Sequence, residues 1–106
     1  LSNVNRCALA EDGSQLVGFL VWQETDFEAE VLQIAVLPSY QGQKIATALF
    51  DFLPVDKEIF LEVRESNKTA LLFYKKEKFE EIARRKAYYH APVEDAIVMK
   101  REIHER

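Results

Sequence analysis

The sequence predicts a single mixed α+β domain, a mostly antiparallel sheet with one parallel strand-helix-strand crossover. Three observations lead there. The opening half holds three strand-like apolar segments separated by turn residues, the spacing turns helical at Ile45, and strand-like segments return from Glu58. The resulting order is strand-strand-strand-helix-strand-helix-strand-strand.

Val4–Ala10 is the first strand. The Asp12-Gly13 pair after it is a hairpin signal, because tight hairpin turns need the positive φ that glycine tolerates. Leu16–Gln23 is a nearly continuous apolar run, the mark of a strand covered on both faces. Glu30–Leu37 is the third strand, ended by Pro38, and the three make an antiparallel meander. Apolar residues then fall at Ile45, Ala48, Leu49 and Phe52, a helix stopped by Pro54. Glu58–Val63 is a strand, so Glu30 to Val63 forms a right-handed parallel crossover. Ser66 and Asn67 offer N-cap chemistry for a second helix with Ala70, Leu71 and Tyr74 on one face. Phe79–Lys86 and Val93–Glu102 are two closing strands around a loop, "AYYHAP".

The chain has 106 residues, of which 48% are hydrophobic and 30% charged, enough for one modest core. No apolar run approaches the ~18 residues of a membrane helix, and no signal-peptide pattern is present. The lone Cys7 rules out an internal disulfide framework, suits a reducing cytoplasm and reads as a small core residue. A formal charge of −4 argues against nucleic acid as a direct partner. Residues 1–53 carry two basic and seven acidic residues, and residues 54–106 carry twelve and eleven. Much of the negative charge sits in "ETDFEAE" (Glu24–Glu30), which reads either as a solvated hairpin turn or as a docking surface for a cationic substrate. His90 and His104 are too far apart in sequence to suggest a metal site.

Three places carry candidate chemistry. The stretch "LPSYQGQKIATALF" (Leu37–Phe50) leads from a strand into a helix N-terminus, where unpaired N–H groups and the helix dipole favour an anion. It either binds a phosphate or only caps a helix. Glu62 lies mid-strand, and alternation puts Ile59, Leu61 and Val63 on one face with Phe60, Glu62 and Arg64 on the other. A carboxylate so placed is a candidate general base or an ordinary solvent-facing residue. Tyr74, on the following helix, is a candidate proton donor to a thiolate or an amphipathic residue packed on the sheet.

In this order, "IAVLPSYQGQKIATALF", "LEVRESNKTALLFYKKEKF" and "RRKAYYHAPVEDAIVM" resemble the GNAT family of N-acetyltransferases. The first segment is similar to their acyl-CoA loop, with Gln41, Lys44 and Ala46 at its marked positions. The rest is similar to the bacterial branch that acetylates ribosomal-protein alanines. The resemblance runs from about Leu32 to Met99. It implies a mixed sheet with helices on both faces, acetyl-CoA as cosubstrate and no metal.

It implies site residues as well. The N–H groups of Gln41, Gly42, Gln43, Lys44, Ile45 and Ala46, with Thr47 close by, would hold the pyrophosphate. Ile34 and Val36 would pair with the pantetheine amides, and Asn67 would bond the pantetheine arm. Glu62 would take a proton from the amine, and Tyr74 would return one to the thiolate. The implied acceptor is the N-terminal α-amine, alanine by resemblance, of a small-subunit ribosomal protein with a basic tail. Glu28 or Glu30 would help to hold that tail, with Tyr89 or Tyr88 bordering the same cleft.

Lysines stand at two family glycine positions, Lys44 and Lys78. The expected domain spans residues 1–106 and lacks the strand and helices with which family members begin. Acetylation of lysine side chains or small amines, and a non-catalytic CoA- or partner-binding remnant, are the alternative readings on the same scaffold.

Overall fold

The computed structural model describes residues 3–103. Its strands are β1 (Val4–Asp12), β2 (Gln15–Glu24), β3 (Glu28–Val36), β4 (Glu58–Arg64), β5 (Glu80–His90) and β6 (Val93–Arg101). Helix α1 (Ile45–Phe50) joins β3 to β4, and α2 (Lys68–Lys76) joins β4 to β5. The strands form one six-stranded sheet in the order β1-β2-β3-β4-β6-β5, antiparallel except for the β3–β4 pair. Both early turns have local causes. Gly13 takes φ 64° at the first. At the second, the Thr25 hydroxyl accepts from the N–H groups of Phe27 and Glu28.

The crossover through α1 is the expected one, and the structure adds a second. Strand β6 inserts between β4 and β5, which makes β4-α2-β5 a parallel crossover with one strand skipped. Both crossovers advance in the same direction. With the usual right-handed connection they place their helices on the same face of the sheet. The rings of Phe50 and Phe73, one from each helix, accordingly meet at 5.1 Å. Among the described residues, then, the helices cover one face instead of two.

Alternation sorts the strands as anticipated. Ile59, Leu61 and Val63 join Leu20, Trp22, Val31, Ile97 and Met99 under the helices, leaving Phe60, Glu62 and Arg64 on the other face. Two details depart from expectation. On β1 the phase that buries Ala8 turns Cys7 outward, so the cysteine is exposed and not part of the core. In α1 the buried residues are Leu49 and Phe50, with Leu53 beyond its end, while Phe52 is 64% exposed. The helix stops at Phe50, and bonds from Phe52 N to Leu49 O and Leu53 N to Phe50 O tighten the exit and rotate Leu53 inward.

The "AYYHAP" segment is mostly strand, since β5 runs to His90 and leaves only Ala91-Pro92 between the strands. Four residue steps of β5, from Arg85 to Tyr89, span the two of β6 from Ala96 to Glu94. Ala87 absorbs the excess at φ 49°, and its N–H donates to Asp95 Oδ1 at 2.9 Å. That bond, with the one from Arg84, outweighs burial and holds the Asp95 carboxyl below its ordinary value.

Helix α2 ends in a Schellman motif. Phe79 N donates to Tyr74 O at 2.9 Å, Lys78 N donates to Lys75 O at 3.1 Å, and the Tyr74 and Phe79 rings lie 6.1 Å apart. The motif needs a left-handed residue at position 78, and Lys78 supplies it at φ 75°. A lysine pays about 1–2 kcal/mol there, and glycine returns roughly half of that gain through its looser unfolded chain. Lys78→Gly is therefore expected to raise the unfolding free energy by about 0.5–1 kcal/mol, measured by urea titration.

Candidate active site

Strands β3 and β4 pair only from Glu28–Glu58 to Glu30–Phe60 and then diverge. The cause lies in β3. Val21 faces Gln33 and Trp22 faces Val31, so Leu32 is an extra residue, and such a bulge bends its strand. Past it, Leu37 N donates to Val17 O at 2.8 Å, which sets the ladder's phase. Backbone groups alternate in direction along a strand, so those of Ile34 and Val36 turn away from β2 into the gap. The Gln41 side chain donates to Val36 O at 3.1 Å and ties the following loop to the end of β3.

That loop begins with a 3-10 turn, Pro38–Tyr40, and the Tyr40 hydroxyl donates to Asp12 Oδ2 at 2.7 Å. Gln41 N–H donates to Pro38 O at 3.3 Å, so this member of the expected cradle is already engaged. From Gly42 through Thr47 no N–H finds a backbone acceptor among the described residues, and Ala48 N is the first to bond back, to Lys44 O. Gly42 at φ 83° and Lys44 at φ 63° curl the chain into the helix. Gly18 on β2 lets the helix seat closely. A Cβ there would meet Ala35 O at 3.1 Å and Ile45 Cγ2 at 3.4 Å. The Thr47 hydroxyl donates to Glu77 Oε2 at 3.2 Å, linking α1 to the end of α2.

On the face away from the helices, a cavity of about 370 Å³ is lined by Glu28, Glu30, Phe60, Glu62 and Arg85, among others. It thus gathers Glu62 with both members of the acidic segment expected near an acceptor. Glu24, from the same segment, is committed elsewhere. It bonds Lys57 Nζ at 2.8 Å, the Trp22 indole at 2.8 Å and Arg6 at 3.1 Å. Burial pushes its carboxyl up, but these bonds and charges prevail and hold it below the ordinary value. The acidic stretch is therefore a structured turn at Glu24 and Thr25 and a cavity wall at Glu28 and Glu30.

Glu62 accepts from Arg85 Nη1 at 2.7 Å, and the same guanidinium lies 4.9 Å over the Tyr88 ring. Tyr88 and Tyr89 meet edge to face at 5.1 Å. Arg64 stacks on Tyr89 at 4.3 Å and is fixed by Glu94 Oε2 and Pro92 O, both at 3.1 Å. Glu94 Oε1 accepts from Ser66 N at 3.0 Å, so one carboxylate joins the start of α2 to the β5–β6 hairpin. Burial and then the Glu62 charge push the Tyr89 phenol up. Burial and then Tyr89 do the same to Tyr74. Tyr74 is packed against Phe50 and Phe79 as an amphipathic residue would be, while its hydroxyl has no hydrogen-bond partner among the described residues. Asn67 caps α2 as expected, its side chain accepting from Ala70 N at 3.2 Å.

The structure thus gathers Glu28, Glu30 and Glu62 in one cavity, sets Tyr89 against Arg64 and Tyr88, and places the loop from Gly42 to Thr47 after the far end of β3. Sequence reasoning did not single out Arg85, Arg64 or Glu94 as site residues. Their positions follow from β6 folding back between β4 and β5, and no local spacing announces that. His104 lies outside the described residues. No helix among the described residues is long and apolar enough to cross a membrane.

Residues 3–81 match the model of the acetyltransferase (GNAT) domain. The ribosomal protein bS18-alanine N-acetyltransferase of Haemophilus influenzae is 37% identical over 97 residues, covering 83% of this chain and 66% of that protein. The N-alpha-acetyltransferase RimI of Mycobacterium tuberculosis is 34% identical, covering 88% and 63%. Among solved structures, a ribosomal-protein alanine N-acetyltransferase from Escherichia coli superposes with a TM-score of 0.85 at 31% identity, covering 96% of this chain and 71% of that one. The chain spans less than two thirds of the length of the curated relatives it matches. By its matched domain model, the identity to these relatives and the six-stranded sheet with its parted parallel pair, the chain belongs to the GNAT acetyltransferase family.

Proposed function

We propose that the chain transfers an acetyl group from acetyl-CoA to an amine, and that the acceptor is the N-terminal α-amine of a small-subunit ribosomal protein beginning with alanine. The observation that carries the reading is the gap between β3 and β4, with unpaired loop N–H groups at one side and Glu62 in an acidic cavity at the other. The relatives named as ribosomal-protein alanine acetyltransferases support the choice of acceptor.

The residues present suit the cosubstrate. Donors from Gly42 through Thr47 point at a helix N-terminus, where a pyrophosphate is favoured by unpaired N–H groups and dipole together. The backbone edge at Ile34 and Val36 offers strand-like pairing to an amide-bearing arm, and Asn67 lies at the start of α2 to bond it. When bound, acetyl-CoA supplies a thioester carbonyl as the electrophile.

Glu62 accepts the proton of the incoming amine, directly or through water. An α-amine has a pKa of ~7.7–8.0, so a sizeable share is already neutral near pH 7 and the base completes an easy deprotonation. Tyr74 donates the proton that the departing thiolate needs. Burial, by pushing its phenol up, keeps that proton in place across the neutral range. Orientation in a ternary complex supplies the largest part of the rate, up to ~7–11 kcal/mol.

Incubation with acetyl-CoA and a basic peptide beginning with alanine should release free thiol and add one acetyl group to the α-amine, located by mass spectrometry. Label on a lysine side chain would move the assignment to the alternative acceptor class, and CoA binding without turnover would leave a binding module. Glu62→Gln should lower kcat/KM by about 10²–10⁴ at neutral pH, and Tyr74→Phe should lower kcat with CoA binding retained. Lys44→Gly relieves a left-handed lysine and, by the same balance as at Lys78, should stabilise the fold by about 0.5–1 kcal/mol. The same change should loosen CoA binding a few-fold, about 1 kcal/mol or less, by removing an ammonium next to the pyrophosphate loop. Tighter binding in the glycine variant would mark the ammonium as a backbone compromise without a ligand role.

A further inference from the structure

The acceptor cavity contains its own cation. Three carboxylates, Glu28, Glu30 and Glu62, line it, and among the described residues the only basic side chain in its wall is Arg85. The guanidinium sits 2.7 Å from Glu62 Oε2, a distance at which an ammonium would also bond that oxygen. It reaches there from β5, across Val98 of β6, which pairs with Glu62 on one side and Ala83 on the other. The two partners differ in freedom. The Glu62 side chain is 20% exposed, while that of Arg85 is 55% exposed and rests on the Tyr88 ring. Arg85 also lies at the start of the bulge that ends at Tyr89, where the β5–β6 ladder is interrupted. A fixed carboxylate with a loosely held cation on it is an occupied site whose occupant can leave.

We infer that Arg85 is a resident counter-cation of the acceptor site, holding Glu62 in the free protein and giving way to the ammonium of the incoming chain. It is a specificity-determining residue, since only a ligand that replaces its charge can open Glu62 without leaving a half-buried carboxylate unpaired. A neutral ligand brings no such compensation, and a basic one brings more than it displaces because Glu28 and Glu30 remain. Glu62 is thereby closed to stray cations until a cationic amine arrives. The Tyr88 ring receives the guanidinium on one face and offers it a resting place near the cavity rim.

The inference rests on the acetyl-transfer reading for the identity of the acceptor, so its test uses equilibrium binding, which needs no turnover. A basic alanine-initiated peptide is titrated by calorimetry into wild-type protein, Arg85→Ala, Arg85→Gln and Arg85→Lys, alongside an N-acetylated copy of the same peptide. Arg85→Gln removes the charge while keeping a polar group and the first part of the stem, and thermal unfolding of each variant verifies that it is folded. Removing the competing charge should tighten the free-amine peptide about three- to fivefold in the alanine and glutamine variants, the scale of a partly exposed ion pair, with lysine near wild type. The acetylated peptide, without its terminal ammonium, should gain less. Unchanged or weaker binding of the free-amine peptide in both charge-removing variants overturns the inference and makes Arg85 a holder of Glu62 or of the ligand. An equal gain for both peptides also overturns it, since the site would then be reading the basic tail alone. Absence of acetyl transfer by wild-type protein in the peptide assay would instead defeat the acetyl-transfer reading, and leaves the binding comparison decisive for Arg85.

Discussion

Almost everything functional in this chain depends on where the parallel ladder between β3 and β4 stops. Three paired positions hold the strands together at Glu28–Glu30, and an extra residue at Leu32 then bends β3 away. A sheet that stayed paired would bury the backbone of Ile34 and Val36 in ladder bonds. Parting the strands instead leaves that edge out of the ladder, with Val36 O accepting from the Gln41 side chain. The crossover through α1 brings the loop to the open end because right-handed connections return over the sheet in one sense.

The sheet also divides labour between its faces. Beneath the helices, Ile59, Leu61 and Val63 pack with Phe50, Tyr74 and Phe79 into one apolar cluster. On the opposite face, the same strand presents Phe60, Glu62 and Arg64 to ion pairs and aromatic rings. A period of two thus gives β4 an apolar side and a polar side, and Tyr74 packs on the apolar one. Its ring belongs to the core, stacked on Phe50.

Left-handed residues mark the joints of this arrangement. Lys44 starts α1, Lys78 ends α2 and Ala87 makes the bulge of β5, and none is a glycine. Surrounding bonds hold each in place: the helical bond to Lys44 O, the paired Schellman bonds around Lys78, and Asp95 beneath Ala87. The strain is local, and what it secures is position, since each joint aims a loop or strand that borders the candidate site.

The order of elements, the Asp12-Gly13 turn, the face of Glu62 and the Asn67 cap were all legible in the sequence. Periodicity, turn chemistry and capping are properties of neighbours along the chain, and they act before distant parts meet. The loop into α1 was legible for the same reason, as one continuous strand-loop-helix segment. Other features waited on the tertiary structure. Cys7 turned outward and Phe50 inward because pairing and helix ending set their phase. Both helices fell on one face because β6 entered between β4 and β5. Gln41 lost its free N–H to a turn, and Glu24 left the acidic cluster for Lys57, Trp22 and Arg6. The pairing of Arg85 with Glu62 spans two strand registers and a bulge. Local chemistry determined which groups this chain possesses, and long-range pairing decided which of them face one another.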